Sequence, residues 1–220
     1  MSGSRQNPAS GQQQRGAAIT RRLLALYPEA RLELDYATPL ELLVALILAA
    51  QCTDERVNQV TRILFRKYRD ARDYAHADVA ELERDIRSTG FYKRKARTLI
   101  ACCRRLLEAH HGAVPDDLEA LTRLPGVGRK TANLVRACAF GHQAIAVDTH
   151  VKRVSRRLGL ATSEDPDHIE AELTAVVPRR HWRAFTLALI LHGRYVCTAR
   201  HPRCPTCGLN DLCPWPDKTG

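Results

Sequence analysis

The chain of 220 residues is 45% apolar, which is enough to bury the core of one large domain or two small ones. Its 34 Lys and Arg outnumber its 24 Asp and Glu, so the formal net charge is +10 and a polyanionic partner is favoured. No apolar run approaches the roughly 20 residues of a membrane span, which favours nucleic acid over a membrane as that partner.

The N-terminal segment is polar and contains no acidic side chain. Because it is rich in Gln, Ser and Gly, we expect residues 1–16 to form a disordered tail. This tail lacks the apolar core of a secretory signal and the apolar face of a transit peptide. We therefore expect a reducing, cytoplasmic compartment, in which the eight cysteines do not form disulfides.

Helices are predicted along most of the chain. Aromatic residues make up only 5%, Ala, Leu and Arg recur, and no segment alternates like a strand, so the expected fold class is all-α. The first helix runs from Ala17 to Pro28, and the second opens at Thr38 and is apolar nearly all round, which is typical of a central core helix. Residues 70–77 are predicted as a turn. The remaining predicted helices are 54–68, 79–88, 93–110, 118–124, 130–140, 151–158, 167–176 and 182–195.

A turn with two glycines separates two of these helices. Residues 124–128 read Leu-Pro-Gly-Val-Gly and lead directly into Arg129 and Lys130. Glycines at alternate positions allow a tight turn that presents backbone N–H groups beside the positive end of the next helix dipole, which favours an anion. The spacing does not fit a P-loop, because Arg129 separates Gly128 from Lys130, or a dinucleotide fingerprint, which needs a glycine in place of Thr131. An ordinary helix cap explains the same composition, so both interpretations stay open.

The C-terminal segment carries a second pattern. Its cysteines are separated by six, two and five residues and are Cys197, Cys204, Cys207 and Cys213. Four thiolates this close together favour a metal site. Zinc sites commonly use two Cys-x-x-Cys pairs and only one is present here, whereas four cysteines also suit an iron–sulfur cluster, so the spacing leaves both metals open. The other cysteines lie within helical patterns and are expected to be buried and unligated: Cys52, Cys102, Cys103 and Cys138.

Three segments, in this order, resemble the endonuclease III family of DNA glycosylases. Residues 124–132, LPGVGRKTA, are similar to its helix-hairpin-helix element, and residues 146–150, AVDTH, are similar to its aspartate segment. The terminal cysteines match its 4Fe-4S site at all four positions. The resemblance extends more loosely over residues 17–216 and implies double-stranded DNA as the partner and a 4Fe-4S cluster as the cofactor. Such a cluster would staple the C-terminal segment and hold the basic loop 200–203 where it can meet phosphates.

The resemblance carries the family's catalytic lysine and aspartate onto Lys130 and Asp148. Departure of a base develops positive charge on the sugar, which a carboxylate stabilises, and a neutral amine can capture C1′. The implied reaction is attack by Lys130, formation of a Schiff base and β-elimination that cuts the strand on the 3′ side. The residues alone also allow plainer roles, a solvated surface charge for Lys130 and a helix N-cap for Asp148.

A glycosylase must also rotate its target nucleotide out of the stack and fill the hole that remains. The resemblance places a polar plug at Gln51 and an apolar wedge at Phe91, where the family more often has leucine. The alternatives are a helix cap for Gln51 and a core position for Phe91. Further DNA contacts are implied in the hairpin and in the lesion pocket, at Gly126, Val127, Gly128, Arg129, Asp54 and His150.

The expected architecture has two helical lobes. A barrel-like lobe with the helix-hairpin-helix would cover residues 32–142, and residues 17–31 would join 143–220 in a lobe that carries the cluster. The resemblance implies an active site between the lobes, with Lys130 from the first and Asp148 from the second.

The implied function is excision of oxidised pyrimidines from duplex DNA followed by cleavage at the abasic site, by a monomer acting on the bacterial nucleoid. One rival is a monofunctional adenine-mismatch glycosylase, and the amine of Lys130 and the lack of an extra C-terminal recognition domain argue against it. A second rival is a non-catalytic DNA-binding module with the same hairpin and cluster, which would leave an abasic-site duplex uncut.

Overall fold

The computed structural model describes residues 11–219 and consists, over that range, of helices and connecting loops. The predicted all-α fold is therefore confirmed. Among these residues, no helix is both long enough and apolar enough to cross a membrane. The α-helices are α1 (Gly11–Leu26), α2 (Pro39–Leu48), α3 (Asp54–Lys67), α4 (Ala71–Ala75), α5 (Val79–Asp85), α6 (Tyr92–His110), α7 (Leu118–Thr122), α8 (Arg129–Ala139), α9 (Thr149–Arg157), α10 (Pro166–Val176) and α11 (Trp182–Tyr195). Short 3₁₀ helices lie at Arg87–Thr89, Arg179–His181, Cys204–Thr206 and Asn210–Leu212.

The described chain divides into two compact units. One is continuous in sequence and covers residues 32–144, with helices α2 to α8. The other is split and combines residues 11–31 with residues 145–219, so that α1 belongs with α9, α10, α11 and the C-terminal cysteines. The boundary between them follows residue 144, whereas the sequence places it after residue 142.

Helix α2 lies at the core of the continuous unit. Its residues 42–48 are all buried, and the helix packs against α3, α6 and α8, as the all-round apolar pattern predicts. A capping box starts it: the hydroxyl of Thr38 accepts from the amide of Glu41, and the carboxylate of Glu41 accepts from the amide of Thr38, each at 3.2 Å. Pro39 follows at the first helical position, where its missing N–H costs nothing.

Helix α4 lies within residues 70–77, where the sequence predicts a turn, so that prediction is wrong. Asp70 caps this short helix by accepting from the amides of Arg72 and Asp73 at 2.8 and 2.9 Å. Tyr74 is buried and stacks on Tyr68 with ring centroids 4.9 Å apart, and α4 packs against α6. Five residues are too few to show helical periodicity, so the capping aspartate was the only local signal.

Helix α1 begins within the segment that the sequence predicts to be a disordered tail. The disordered segment was expected to extend through residue 16, but α1 begins at Gly11, and residues 1–10 lie outside the described part of the chain. Arg15 donates to the carbonyl oxygens of Leu158 and Leu212 at 2.7 and 2.6 Å. A Cβ atom at Gly16 would lie 2.4 Å from the carbonyl oxygen of Val176, so α1 and α10 approach closely there. Tertiary contacts within the split unit therefore order a segment whose composition alone indicates disorder.

Candidate active site and metal centre

The turn that precedes α8 has two glycines with different surroundings. Gly126 has φ +80°, and a Cβ atom there would lie 2.2 Å from Cγ2 of Thr98, so both the backbone and the packing require glycine. Gly128 is the N-cap of α8 in an extended conformation, and a Cβ atom there would meet nothing within 4 Å. Gly128 forms no side-chain cap, which suits this helix start to an external acceptor.

Lys130 lies in this uncapped first turn of α8. Its side chain is exposed, and among the described residues its amine makes no hydrogen bond or ion pair. Val127 is buried beneath the turn and donates its amide to the carbonyl oxygen of Leu124 at 3.1 Å, which fixes the hairpin from below. The protein itself thus leaves the amine of Lys130 accessible.

Asp148 starts helix α9 in the split unit. Its Oδ1 accepts from the amide of Val151 at 2.7 Å, so the predicted N-cap is observed, and the cap uses one of the two carboxylate oxygens. His150 is half-buried in the first turn of the same helix, with its Nδ1 3.2 Å from a guanidinium nitrogen of Arg153. Lys130 belongs to the continuous unit, so the structure places the two predicted catalytic residues in different units.

The predicted plug and wedge both lie in exposed turns of the continuous unit. Gln51 follows the C-cap of α2, which is Ala49, and has φ +54°. Phe91 is the N-cap of α6 and has φ +48°, and 64% of its surface is exposed. The helix-cap alternative for Gln51 and the core alternative for Phe91 are therefore wrong. Each residue adopts a left-handed conformation that side chains other than glycine rarely take.

The four C-terminal cysteines line one cavity in the split unit. All four are half-buried, and the cavity wall also includes Arg157, His192 and Trp215. N–H groups point at the sulfurs: the amide of Leu209 donates to Cys207 and the guanidinium of Arg157 donates to Cys197, each at 3.4 Å. Burial raises the pKa of the Cys207 thiol, and the three neighbouring thiolates raise the pKa further. Four thiolates together therefore need a cationic group to neutralise them.

The four cysteines supply enough donors for a zinc ion or for an iron–sulfur cluster. A structural zinc would need four ligands within about 2.3 Å of one point. A 4Fe-4S cluster spreads its irons, so that each cysteine binds a different one. The donor set around the cavity fits the cluster.

Arg153 and Arg157 are residues of this region that the sequence analysis missed. They lie one turn apart on α9, and Arg153 donates to the carbonyl oxygens of Gly193 and Cys197 at 2.7 and 3.1 Å. Arg157 lies over the ring of Trp215 at 3.8 Å and thus covers the cysteine cavity. The only sequence signal was the spacing of two arginines by four residues, which is common on solvated helices.

None of the four remaining cysteines forms a disulfide. Cys102 and Cys103 are buried in α6, as predicted, and burial raises the pKa of the Cys102 thiol to about 12. Cys52 and Cys138 are only half-buried, so the prediction of burial is wrong for them. Cys52 lies in the turn between α2 and α3 rather than within a helix.

Residues 44–179 match the profile of the HhH-GPD superfamily of base excision DNA repair proteins, which defines the class of this protein. Residues 197–213 match the iron-sulfur binding domain of endonuclease III. Endonuclease III of Synechocystis sp. is 50% identical over 206 residues, covering 93% of this chain and 94% of that protein, and endonuclease III of Escherichia coli K12 is 43% identical, covering 91% and 95%. The solved structure of a trapped endonuclease III–DNA covalent intermediate superposes with a TM-score of 0.88 at 45% identity, covering 92% of this chain and 95% of that one.

The chain belongs to the endonuclease III family. It is a DNA glycosylase and abasic-site lyase of base excision repair, and its cofactor is a 4Fe-4S cluster. Because the chain is an enzyme, it is not the non-catalytic DNA-binding module that was the second alternative.

Proposed function

We propose that Lys130 is the nucleophile of the glycosylase and lyase reactions. Its free amine attacks C1′ of the damaged nucleotide, the bond from C1′ to the base breaks, and the base leaves with the bonding electrons and takes up a proton. The bond from C1′ to the sugar ring oxygen then breaks, the ring oxygen takes up a proton, and the lone pair of the lysine nitrogen completes the double bond of a Schiff base. Removal of a C2′ proton forms the C2′–C3′ double bond, breaks the C3′–O bond and expels the 3′ phosphate. The observation that carries this proposal is an exposed amine that has no partner among residues 11–219, in the first turn of a helix without a side-chain cap.

Asp148 is proposed to stabilise the positive charge that develops on the sugar and to accept the proton of the attacking amine. Its Oδ1 is held by the amide of Val151, which fixes the orientation of the carboxylate. The second oxygen lies outside this cap and can serve the reaction. Structural and catalytic roles thus coexist in one side chain.

The hairpin from Gly126 to Arg129 is proposed to bind a phosphate of the damaged strand. The amides at the start of α8 supply donors and the positive end of the helix dipole. The open space beside Gly128 allows the DNA backbone to approach, since any side chain there would stand in the way. The exposed side chains of Arg200, His201 and Arg203 in the loop between the first two cluster ligands add further phosphate contacts.

Gln51 and Phe91 are proposed to fill the space left by the extruded nucleotide. Both side chains are exposed, and both backbones hold them in strained turns. The ring of Phe91 offers more apolar surface to neighbouring bases than the leucine that the family more often has. Asp54 and His150 would contact the lesion once it leaves the stack.

The remaining proposals concern selectivity, assembly and location. We expect the enzyme to prefer damaged pyrimidines to damaged purines, to act as a monomer and to work on the nucleoid in the cytoplasm. A panel of duplexes, each with one lesion, tests the selectivity. Efficient release of a damaged purine would contradict it.

Borohydride trapping tests the assignment of Lys130. The variant Lys130→Gln should keep its helical fold, the visible absorbance of the cluster and its affinity for an abasic-site duplex, yet form no trapped complex. Lys67→Gln is the matched control, because Lys67 is a lysine of the same unit that pairs with Glu81 and Asp85 on the surface. A Lys130→Gln variant that traps as efficiently as this control would overturn the proposal.

A further inference from the structure

Lys95 is a buried basic residue of the continuous unit. It lies in the first turn of α6, only 5% of its surface is exposed, and among the described residues it forms no ion pair. Its Nζ donates to the carbonyl oxygens of Leu48 and Thr89 at 2.8 and 2.7 Å. Burial lowers the pKa of this amine. Burying a charge against neutral acceptors alone is costly, so the chain retains Lys95 at the expense of stability.

The two acceptors of Lys95 stand next to the plug and the wedge. Leu48 is the last residue of α2, three residues before Gln51, and Thr89 ends a 3₁₀ helix two residues before Phe91. The backbone amide of Lys95 also donates to the carbonyl oxygen of Phe91 at 3.0 Å. One residue therefore holds the backbone of both turns.

Both turns need such support because they are strained. Gln51 and Phe91 have φ of +54° and +48°, and strained conformations of this kind persist only where the surroundings determine them strongly. The two side chains are exposed and cannot anchor their own turns by packing. The anchoring must come from the backbone, where Lys95 makes its contacts.

We infer that Lys95 is a positioning residue that joins the turns of Gln51 and Phe91 into one preorganised element for base extrusion. This inference rests on the roles proposed above for those two side chains. An ammonium group suits the task because one nitrogen carries three donors and can reach two carbonyl oxygens from different elements. The end of α2 also presents the negative pole of its dipole to this cation.

The first test compares two substrates for the variant Lys95→Met, whose unbranched side chain is one heavy atom shorter and has no donors. Single-turnover excision of thymine glycol from a paired duplex should fall by about 10- to 100-fold, the effect of misplacing a positioned group by about 1 Å. Cleavage at an abasic site, which has no base to extrude, should fall much less. The control Lys67→Met should change neither rate. Equal losses on both substrates would overturn the inference and indicate a general structural role.

A double-mutant cycle gives the second test. If Lys95 acts through the wedge, adding Lys95→Met to Phe91→Ala should slow excision of thymine glycol less than Lys95→Met does alone, whereas additive losses would overturn the inference. Excision unchanged in both Gln51→Ala and Phe91→Ala would overturn their proposed roles and this inference with them. Slow single variants beside an unaffected Lys95→Met would overturn the inference alone.

Two further variants keep the test decisive if Lys95→Met does not fold. Lys95→Arg retains charged donors and should recover part of the excision rate, and Lys95→Gln retains one amide donor and should recover less. Fluorescence of 2-aminopurine beside the lesion reports extrusion directly, and its increase should be slower in Lys95→Gln than in Lys95→Arg. Equal extrusion rates in these two variants would contradict the inference.

Discussion

Helices α8 and α9 begin in opposite ways. The first turn of α9 is completed by its own N-cap, because Asp148 accepts from the amide of Val151 at 2.7 Å. The first turn of α8 follows Gly128, which has no side chain to offer. Side chains cap most other helices of the described chain, at Thr38, Thr53, Asp70, Asp78, Asp117 and Asp165. A helix start that lacks a side-chain cap can donate N–H groups to an external anion, and Lys130 lies beside that start in α8.

Substitution of Asp148 should reduce activity the most, and two variants separate its proposed catalytic role from its role as a helix cap. Asp148→Asn keeps a good N-cap but removes the charge, so glycosylase activity should fall by about 10²- to 10⁴-fold with little change in stability. Asp148→Ala should lose activity to the same extent and also lose about 0.5–2 kcal/mol of stability. Single-turnover kinetics and thermal unfolding of both variants measure the two effects. A fully active Asp148→Asn variant would show that Asp148 serves only as a helix cap.

Giving α8 an aspartate N-cap like that of α9 should weaken DNA binding. Gly128→Asp supplies the missing cap, and its carboxylate occupies the amides that are proposed to bind phosphate. Affinity for an abasic-site duplex should fall by about 10- to 100-fold, since hydrogen bonds to a charged group contribute about 1.5–3 kcal/mol. Thermal stability should not decrease, because the space beside Gly128 is open. Unchanged DNA affinity, measured by fluorescence anisotropy, would show that this helix start does not contact the phosphate.

The two glycines of the hairpin should respond differently to alanine. Gly126→Ala forces a side chain into a left-handed conformation and against Thr98, so we expect it to lose at least about 2 kcal/mol of stability. Gly128→Ala should leave stability within about 0.5 kcal/mol of the parent protein and weaken DNA binding instead. Denaturant unfolding beside DNA titration separates the two outcomes. Equal destabilisation by both substitutions would remove the distinction between a glycine for folding and one for binding.

Removal of a helix cap that has no proposed catalytic role should have the smallest effect on the protein. Asp165 starts α10 by accepting from the amides of Asp167 and His168 at 2.9 and 3.0 Å. Asp165→Ala should cost about 1 kcal/mol of stability and leave glycosylase and lyase rates unchanged. A loss of activity comparable to that of Asp148→Asn would show that capping alone explains the behaviour of Asp148.

Helical periodicity in the sequence predicted the longer helices well. The apolar pattern of α2 identified it as a core helix, and all residues from 42 to 48 are buried. The start of α1 and the whole of α4 were missed. Helix α4 is too short for periodicity, and residues 11–16 are polar and are ordered by contacts with segments more than 140 residues away in the sequence. Long-range packing leaves no trace in the composition of a local segment.

Only some residues of the candidate site were predictable from the sequence, because long-range packing brings the others together. The sequence identified the glycine turn and the four terminal cysteines because these residue types have special backbone freedom or ligand chemistry wherever they occur. The burial of Lys95 was not predictable. Lysine in a basic stretch is expected to be solvated, and only the folded chain brings the carbonyl oxygens of Leu48 and Thr89 to its amine.

The all-α class, the family, the four clustered cysteines and the glycine turn before Lys130 could all be predicted from the sequence, since each of these depends on local spacing and on the chemistry of single residue types. The folded structure was needed to show that Gly126 is required for packing, that Gly128 faces open space and that Phe91 is exposed. These last properties depend on which atoms from distant segments come within a few ångströms of one another, and spacing along the chain does not contain that information.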